Sequence, residues 1–310
     1  MSTPNPSAGR PVPTEDSPQA LPHAARTGML LVLIGAFFWS TGGVALKSMA
    51  IPSLTIAGSR ALIAGLVLSP FLARLRWRWD WRLLPLLAGY TGTVLCFTVA
   101  IRMTSAANAI ALVYTAPAWV FGLTCAVERR MYWRLFLPVA LVLAGLGAIL
   151  AEPSHGTSAE GNLIALGAGL SYGLFTFFVP RLDQPPLSLV SLCNLSAGAL
   201  LFLAFPGAAP LGGIPWPDWA WVLYAGVFQI ALGHVFFMSS LSRIPVTQAS
   251  LLALAEPVLN PLWVFLFLGE IPSAYGIAGL SVILCGVLAD VWLRREAAQR
   301  LARQMAGSGG

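Results

Sequence analysis

Glu256 is the one carboxylate that falls deep inside any of the long apolar stretches of this 310-residue sequence, and it stands immediately before Pro257. A proline lacks the amide donor, and its ring displaces the carbonyl four residues earlier, so the carboxylate sits where a helix must bend and expose backbone. Such a group suits ligand contact or proton coupling. It equally suits a packing role, held by Arg, Ser or the freed backbone. His234 is the only histidine in an apolar stretch, and an imidazole there serves either a proton relay or a structural hydrogen bond. Arg60 lies in another stretch, near one interface, where it either snorkels to the membrane surface or meets a substrate carboxylate.

Five amides in apolar surroundings, Asn108, Asn194, Gln229, Gln248 and Asn260, can each offer a donor and an acceptor to a zwitterion. Asn108 and Gln248 are separated by 140 residues, the spacing of an internal repeat described below, and both are expected to face a cavity. Trp39, Tyr90, Tyr114, Trp119, Tyr172 and Trp263 pack a core by default, but Trp39 and Tyr172 can also wall an apolar pocket. The substrate-binding set expected from the sequence is therefore Trp39, Ser40, Tyr90, Asn108 and Tyr114, joined by Tyr172, Gln229, Gln248 and Glu256. Glu256 and His234 are the candidates for proton coupling, and Pro117 and Pro257 the helix-bending residues.

Enzyme chemistry finds no support. There is no GxxxxGK, no HExxH, and no acidic pair within one stretch for acid/base or divalent-metal work. Gly167, Gly169 and Gly173 miss the dinucleotide spacing and read as close helix contacts. Cys96, Cys125, Cys193 and Cys285 lie in apolar stretches with no CxxC, which predicts small buried hydrophobes. No metal site and no cofactor are expected.

The elements that must hold these residues follow from composition. At 57% apolar, 10% charged and a mean hydropathy of +0.77, the chain departs from soluble domains, where about a quarter of residues are charged. Apolar runs of about 20 residues recur, each long enough for ~30 Å of hydrocarbon. The runs do not alternate as strands do, so an all-α membrane bundle is expected. Ten spans are read at 28–46, 54–73, 83–102, 105–127, 134–151, 162–180, 187–205, 219–241, 246–268 and 273–293. The first 27 residues read as a disordered cytoplasmic tail and 294–310 as a basic cytoplasmic tail.

Fifteen of the 18 Lys and Arg residues fall on one side of this scheme, Lys47 and Arg102 on the other, and Arg60 within a span. Basic loops mark the cytoplasm, so both termini are expected there. The net charge of +6 is thus topological and does not point to nucleic acid. Trp77, Trp79, Trp81, Trp133, Trp216, Trp219, Trp221 and Trp292 fall near span ends, as an interfacial belt requires.

The chain also repeats. Ala109 precedes Pro117 by eight residues in the fourth span, and Ala249 precedes Pro257 likewise in the ninth, an offset of 140. Gly35-Ala36 and Gly167-Ala168 are offset by 132, which puts an insertion of about eight residues between Phe205 and Pro217. Halves 28–151 and 162–293 hold five spans each. An odd number inverts the second copy, as in many secondary transporters with a midplane site.

These features resemble the EamA-type members of the drug/metabolite transporter superfamily. The likeness rests on Trp39-Ser40, on Arg60, on the run Thr104–Ala109, on Pro117 and Glu256-Pro257, and on Gly269-Glu270. The first half departs from the pattern, with Arg130 at the position equivalent to Glu270 and Glu128 two residues early. The resemblance implies a ten-helix carrier in a bacterial inner membrane that exports amino acids or related small metabolites, with the aromatic amino acid exporters as similar members. Its partners would be a small-molecule substrate and the lipid bilayer, with a monomer expected and a dimer open. A membrane enzyme or lipid-handling protein, and a channel or scaffold, remain the alternatives.

Overall fold

A computed structural model describes residues 21–76, 80–152, 158–206 and 212–307; Trp77 and Trp79 lie outside the described residues. Every regular element among them is helical. In chain order these are α1 (Leu21–Ser40), α2 (Gly42–Ser48), α3 (Ser53–Val67), α4 (Leu83–Met103), α5 (Ala106–Val113), α6 (Ala116–Glu128), α7 (Phe136–Leu150), α8 (Ala159–Phe178), α9 (Pro186–Ala204), α10 (Trp216–Tyr224), α11 (Gly233–Ser240), α12 (Val246–Ala253), α13 (Ala255–Leu268) and α14 (Ala274–Gly307). A π-helical stretch, Ala225–Leu232, joins α10 to α11. Eight helices or nearly continuous helix pairs are long and apolar enough to cross a bilayer. The chain is a multi-pass membrane protein.

Two apolar helices, α3 and α7, have 15 residues each, or about 22 Å of rise. A 3-10 segment, Ser69–Arg74, follows α3 almost directly. Ser105 and Ser158 cap α5 and α8 by accepting from the amides of Asn108 and Gly161, which satisfies donors that hydrocarbon could not. The first helix, α1, begins at Leu21, within the stretch the sequence reads as a tail.

Antiparallel pairs build the bundle. Along α3 and α9, Gly58 meets Phe202, Gly65 meets Leu195, and Ser188 Oγ donates to Phe71 O at 2.7 Å. Along α7 and α14, a Cβ on Gly145 would stand 2.6 Å from Gly279 O, and one on Gly286 2.8 Å from Pro138 O. Only glycine permits that approach. In the same way α4 packs on α8, and α1 on α11.

Charges separate to two ends. At one, Arg76 pairs with Asp183 at 2.6 Å, Arg82 donates to Arg181 O at 3.1 Å, and Arg181 approaches Glu128 at 4.0 Å. At the other, Lys47 pairs with Glu270 and donates to Thr104 O at 3.0 Å, while Glu270 accepts from the Ala106 amide at 2.6 Å. Arg102 closes the same end on Met49 O, Ile51 O and Ser53 Oγ. Trp81, Trp133, Trp216 and Trp292 are exposed around the ends. Of the four free cysteines only Cys193 is buried. Cys285 is exposed on the outer face of α14 and corrects the expectation of four buried thiols, because a lipid-facing position accepts a small apolar group as readily as a core does.

Candidate functional site

Two helix breaks create the site. Pro117 and Pro257 have no amide hydrogen, and their rings exclude the carbonyls of Val113 and Ala253, four residues earlier. Those two residues are where α5 and α12 end. Tyr114 and Thr115 form the first break, and Thr115 Oγ1 donates to Leu112 O at 2.6 Å. Leu254 forms the second. The breaks lie 140 residues apart, and so do the left-handed residues that end α6 and α13, Arg129 (φ 51°) and Gly269 (φ 70°).

Tyr114 Oη donates to Glu256 Oε2 at 3.1 Å, so the breaks hydrogen-bond to each other. Glu256 occupies the first turn of α13, where unpaired amides and the helix dipole favour negative charge. Gly169 brings α8 against the first break; a Cβ there would stand 2.4 Å from Leu112 O. This approach sets Tyr172 in the neighbourhood of Glu256, Tyr114 and Tyr90. Tyr172 keeps 38% of its surface exposed. Phe175 joins it to Tyr90, with ring centroids 6.2 Å from Tyr172 and 5.1 Å from Tyr90.

Tyr90 leads in turn to Arg60 and lies beside Asn194. Arg60 is 4% exposed and donates from Nη1 to Gln229 Oε1 at 3.2 Å. Gln229 is carried by the π-helical stretch, a departure from helical geometry that recurs at functional sites. The structure therefore brings together Tyr114, Glu256, Tyr172, Tyr90 and Gln229 of the expected set, and adds Arg60.

The remaining expected residues go elsewhere. Trp39 packs against His234 and Phe237, each at 5.2 Å between rings, with its indole nitrogen buried beside Gly233. His234 Nδ1 lies 2.7 Å from Ile230 O, one helical turn back. Ser40 is fully buried; its Oγ donates to Phe37 O at 2.7 Å and accepts from Trp263 Nε1 at 2.9 Å. Asn108 is fully buried at the Lys47 end, where Nδ2 donates to Glu152 Oε2 at 2.7 Å. Gln248 is half-buried on α12. Asn108 and Gln248 each stand two residues into a helix, but those helices start from opposite ends, so the repeat does not bring the two amides together. A hollow of about 300 Å³ beside Asp218, Ala50 and Gly213 belongs to the Lys47 end rather than to this site.

The π-helical stretch and the Lys47–Glu270 pair were not singled out from the sequence. No motif marks the first, although Gly226 sits in it and Gly233 follows it. In the sequence Glu270 reads only as an end motif, because its partner lies 223 residues away.

The EamA-like transporter family model matches residues 26–151 and again 159–289. An uncharacterized transporter of Archaeoglobus fulgidus is 28% identical over 265 residues, covering 85% of this chain and 96% of its own. The uncharacterized transporter YwfM of Bacillus subtilis is 27% identical over 284 residues, 84% of this chain and 92% of that one. An uncharacterized Pseudomonas aeruginosa protein, PA1977, is 30% identical over 236 residues, 73% of this chain and 79% of its own. A solved crystal structure at 20% identity aligns with a TM-score of 0.61 over 88% of this chain and 99% of that one, a likeness of fold alone. With the family matched over both halves and transporters among its relatives, the chain belongs to the EamA-like transporter family.

Proposed function

We propose that this protein is a monomeric secondary transporter of the bacterial inner membrane that exports amino acids, aromatic and apolar ones included, or related small metabolites. It works by alternating access between two inverted halves, 28–151 and 162–293, with both termini in the cytoplasm. Ten crossings are inferred: α3 with its 3-10 extension runs beside all of α9, from Gly58–Phe202 to Ser188–Phe71, and α7 runs beside α14. The helix pairings also map onto each other when the halves are exchanged: α4 on α8 becomes α11 on α1, while α3 on α9 and α7 on α14 map onto themselves.

The observation that carries the proposal is the hydrogen bond from Tyr114 to Glu256, made between two proline-generated breaks at repeat-related positions. Broken helices facing each other near the bilayer centre are where secondary transporters hold cargo. Glu256 is also the proposed proton-coupling group, being the deep carboxylate at the bend of a helix that must move. His234, fixed to a carbonyl of its own helix, has a smaller part.

Saturable counterflow in proteoliposomes loaded with an amino acid panel tests the carrier, and flux with and without a pH gradient tests coupling. Glu256→Gln should keep substrate counterflow but abolish the response to the gradient, with His234→Gln reducing it less. Non-saturable flux, or turnover of a covalent product, would replace the carrier by a channel or an enzyme. Wild-type flux that ignores the gradient would make the protein a uniporter.

A further inference from the structure

We propose that Arg60, held by Gln229, is the seat for an anionic group of the cargo, a carboxylate above all. This rests on the transporter reading and names the chemistry that the site selects.

Arg60 is a cation at 4% exposure in the interior of a membrane protein, and among the described residues it makes no ion pair. Its one hydrogen bond goes to the neutral Gln229, and its Nε is buried with no acceptor. Its electrostatic neighbour is the hydroxyl of Tyr90, also neutral. Other basic groups are better served: Lys47 has Glu270, Arg76 has Asp183, and Arg102 has three oxygen acceptors.

A buried charge left uncompensated costs several kcal/mol, so a helix bundle retains one where something supplies the counter-charge. A guanidinium with unfilled donors matches the two oxygens of a carboxylate. Asn194 Oδ1, beside Tyr90, is likewise buried without a donor. From Arg60 an aromatic run of Tyr90, Phe175 and Tyr172 leads to Glu256 and Tyr114. A molecule with a carboxylate at one end and an apolar body would supply the missing acceptor and lie along that run.

The test uses the full-length protein in detergent and four ligands with one skeleton: L-phenylalanine, L-phenylalaninamide, 3-phenylpropionate and phenethylamine. Binding is read by ligand titration and thermal stabilisation. The two carboxylates should bind at least about tenfold more tightly than the amide and the amine. Arg60→Gln should shrink that ratio to within about twofold, whereas Glu256→Gln should leave the carboxylate preference in place. The proposal is overturned if the amide or amine binds wild type as tightly as the acids, if Arg60→Gln retains the preference, or if none of the four binds. Should Arg60→Gln fail to fold, the wild-type comparison decides alone. Absence of saturable counterflow for every amino acid would remove the transporter reading, and the binding comparison would still decide Arg60.

Discussion

The two proline-broken segments are related by the repeat, yet the structure treats their halves differently. All eight residues of α5 are buried, whereas of the 13 residues in α6 only Ala116 is. In the second segment α13 buries Pro257, Asn260, Pro261 and Val264, while α12 buries Ala249. The first segment is thus packed in its half toward the Lys47 end and loose in the other, whereas in the second the half toward the Lys47 end leaves Phe265–Leu268 exposed. Two copies of one design thus occupy different environments, and on the alternating-access reading proposed above the packed α5 beside the Lys47–Glu270 pair would be the sealed side of the cycle. That end is held by polar, local contacts, so on this reading a few hydrogen bonds would set which state is populated.

The largest effect should come from breaking the seal. Charge-assisted hydrogen bonds are worth about 1.5–3 kcal/mol, so Lys47→Met or Glu270→Gln should raise exposure of the sealed half roughly 10- to 100-fold. An engineered cysteine at Ala109, fully buried in α5, labelled from outside by an impermeant maleimide, reads this directly. Unchanged labelling would show that the packing of α5, not the ion pair, holds the seal.

A second measurement compares glycines on the two sides. Gly169→Ala forces a Cβ to 2.4 Å from Leu112 O, whereas a Cβ on Gly122 of α6 meets nothing within 4 Å. Overpacking costs about 1–3 kcal/mol, so Gly169→Ala should lower the melting temperature by on the order of 5 °C. Gly122→Ala should stay within about 0.5 kcal/mol of wild type. Equal losses would mean that both sides are packed alike in the membrane.

The smallest effect tests the link between the breaks. Tyr114→Phe removes the donor to Glu256, a loss of about 1 kcal/mol or a fivefold change. It should appear in the KM of counterflow, with maximal flux little altered.

Much of this was legible in one dimension. Pro117 and Pro257 announced the breaks because ring closure acts on the local backbone whatever surrounds it. Glu256 stood out because a charge in an apolar run is rare and costly. Asn108 misleads: its offset from Gln248 is real, but α5 and α12 start from opposite ends of the bundle, and Asn108 is engaged by Glu152. Trp39 faces His234 rather than Glu256 because helix rotation is set by neighbours such as Gly233.

The sequence by itself determined that the chain is helical and membrane-embedded, where its helices break, and which residues are costly to bury. Those properties are local, since backbone hydrogen bonding and transfer from water act residue by residue. Only the tertiary structure decided that Tyr114 answers Glu256, that Lys47 answers Glu270, and that Arg60 has Gln229 and no anion among the described residues. Those pairings span 142, 223 and 169 residues, and at such separations the partner is chosen by how helices pack side by side.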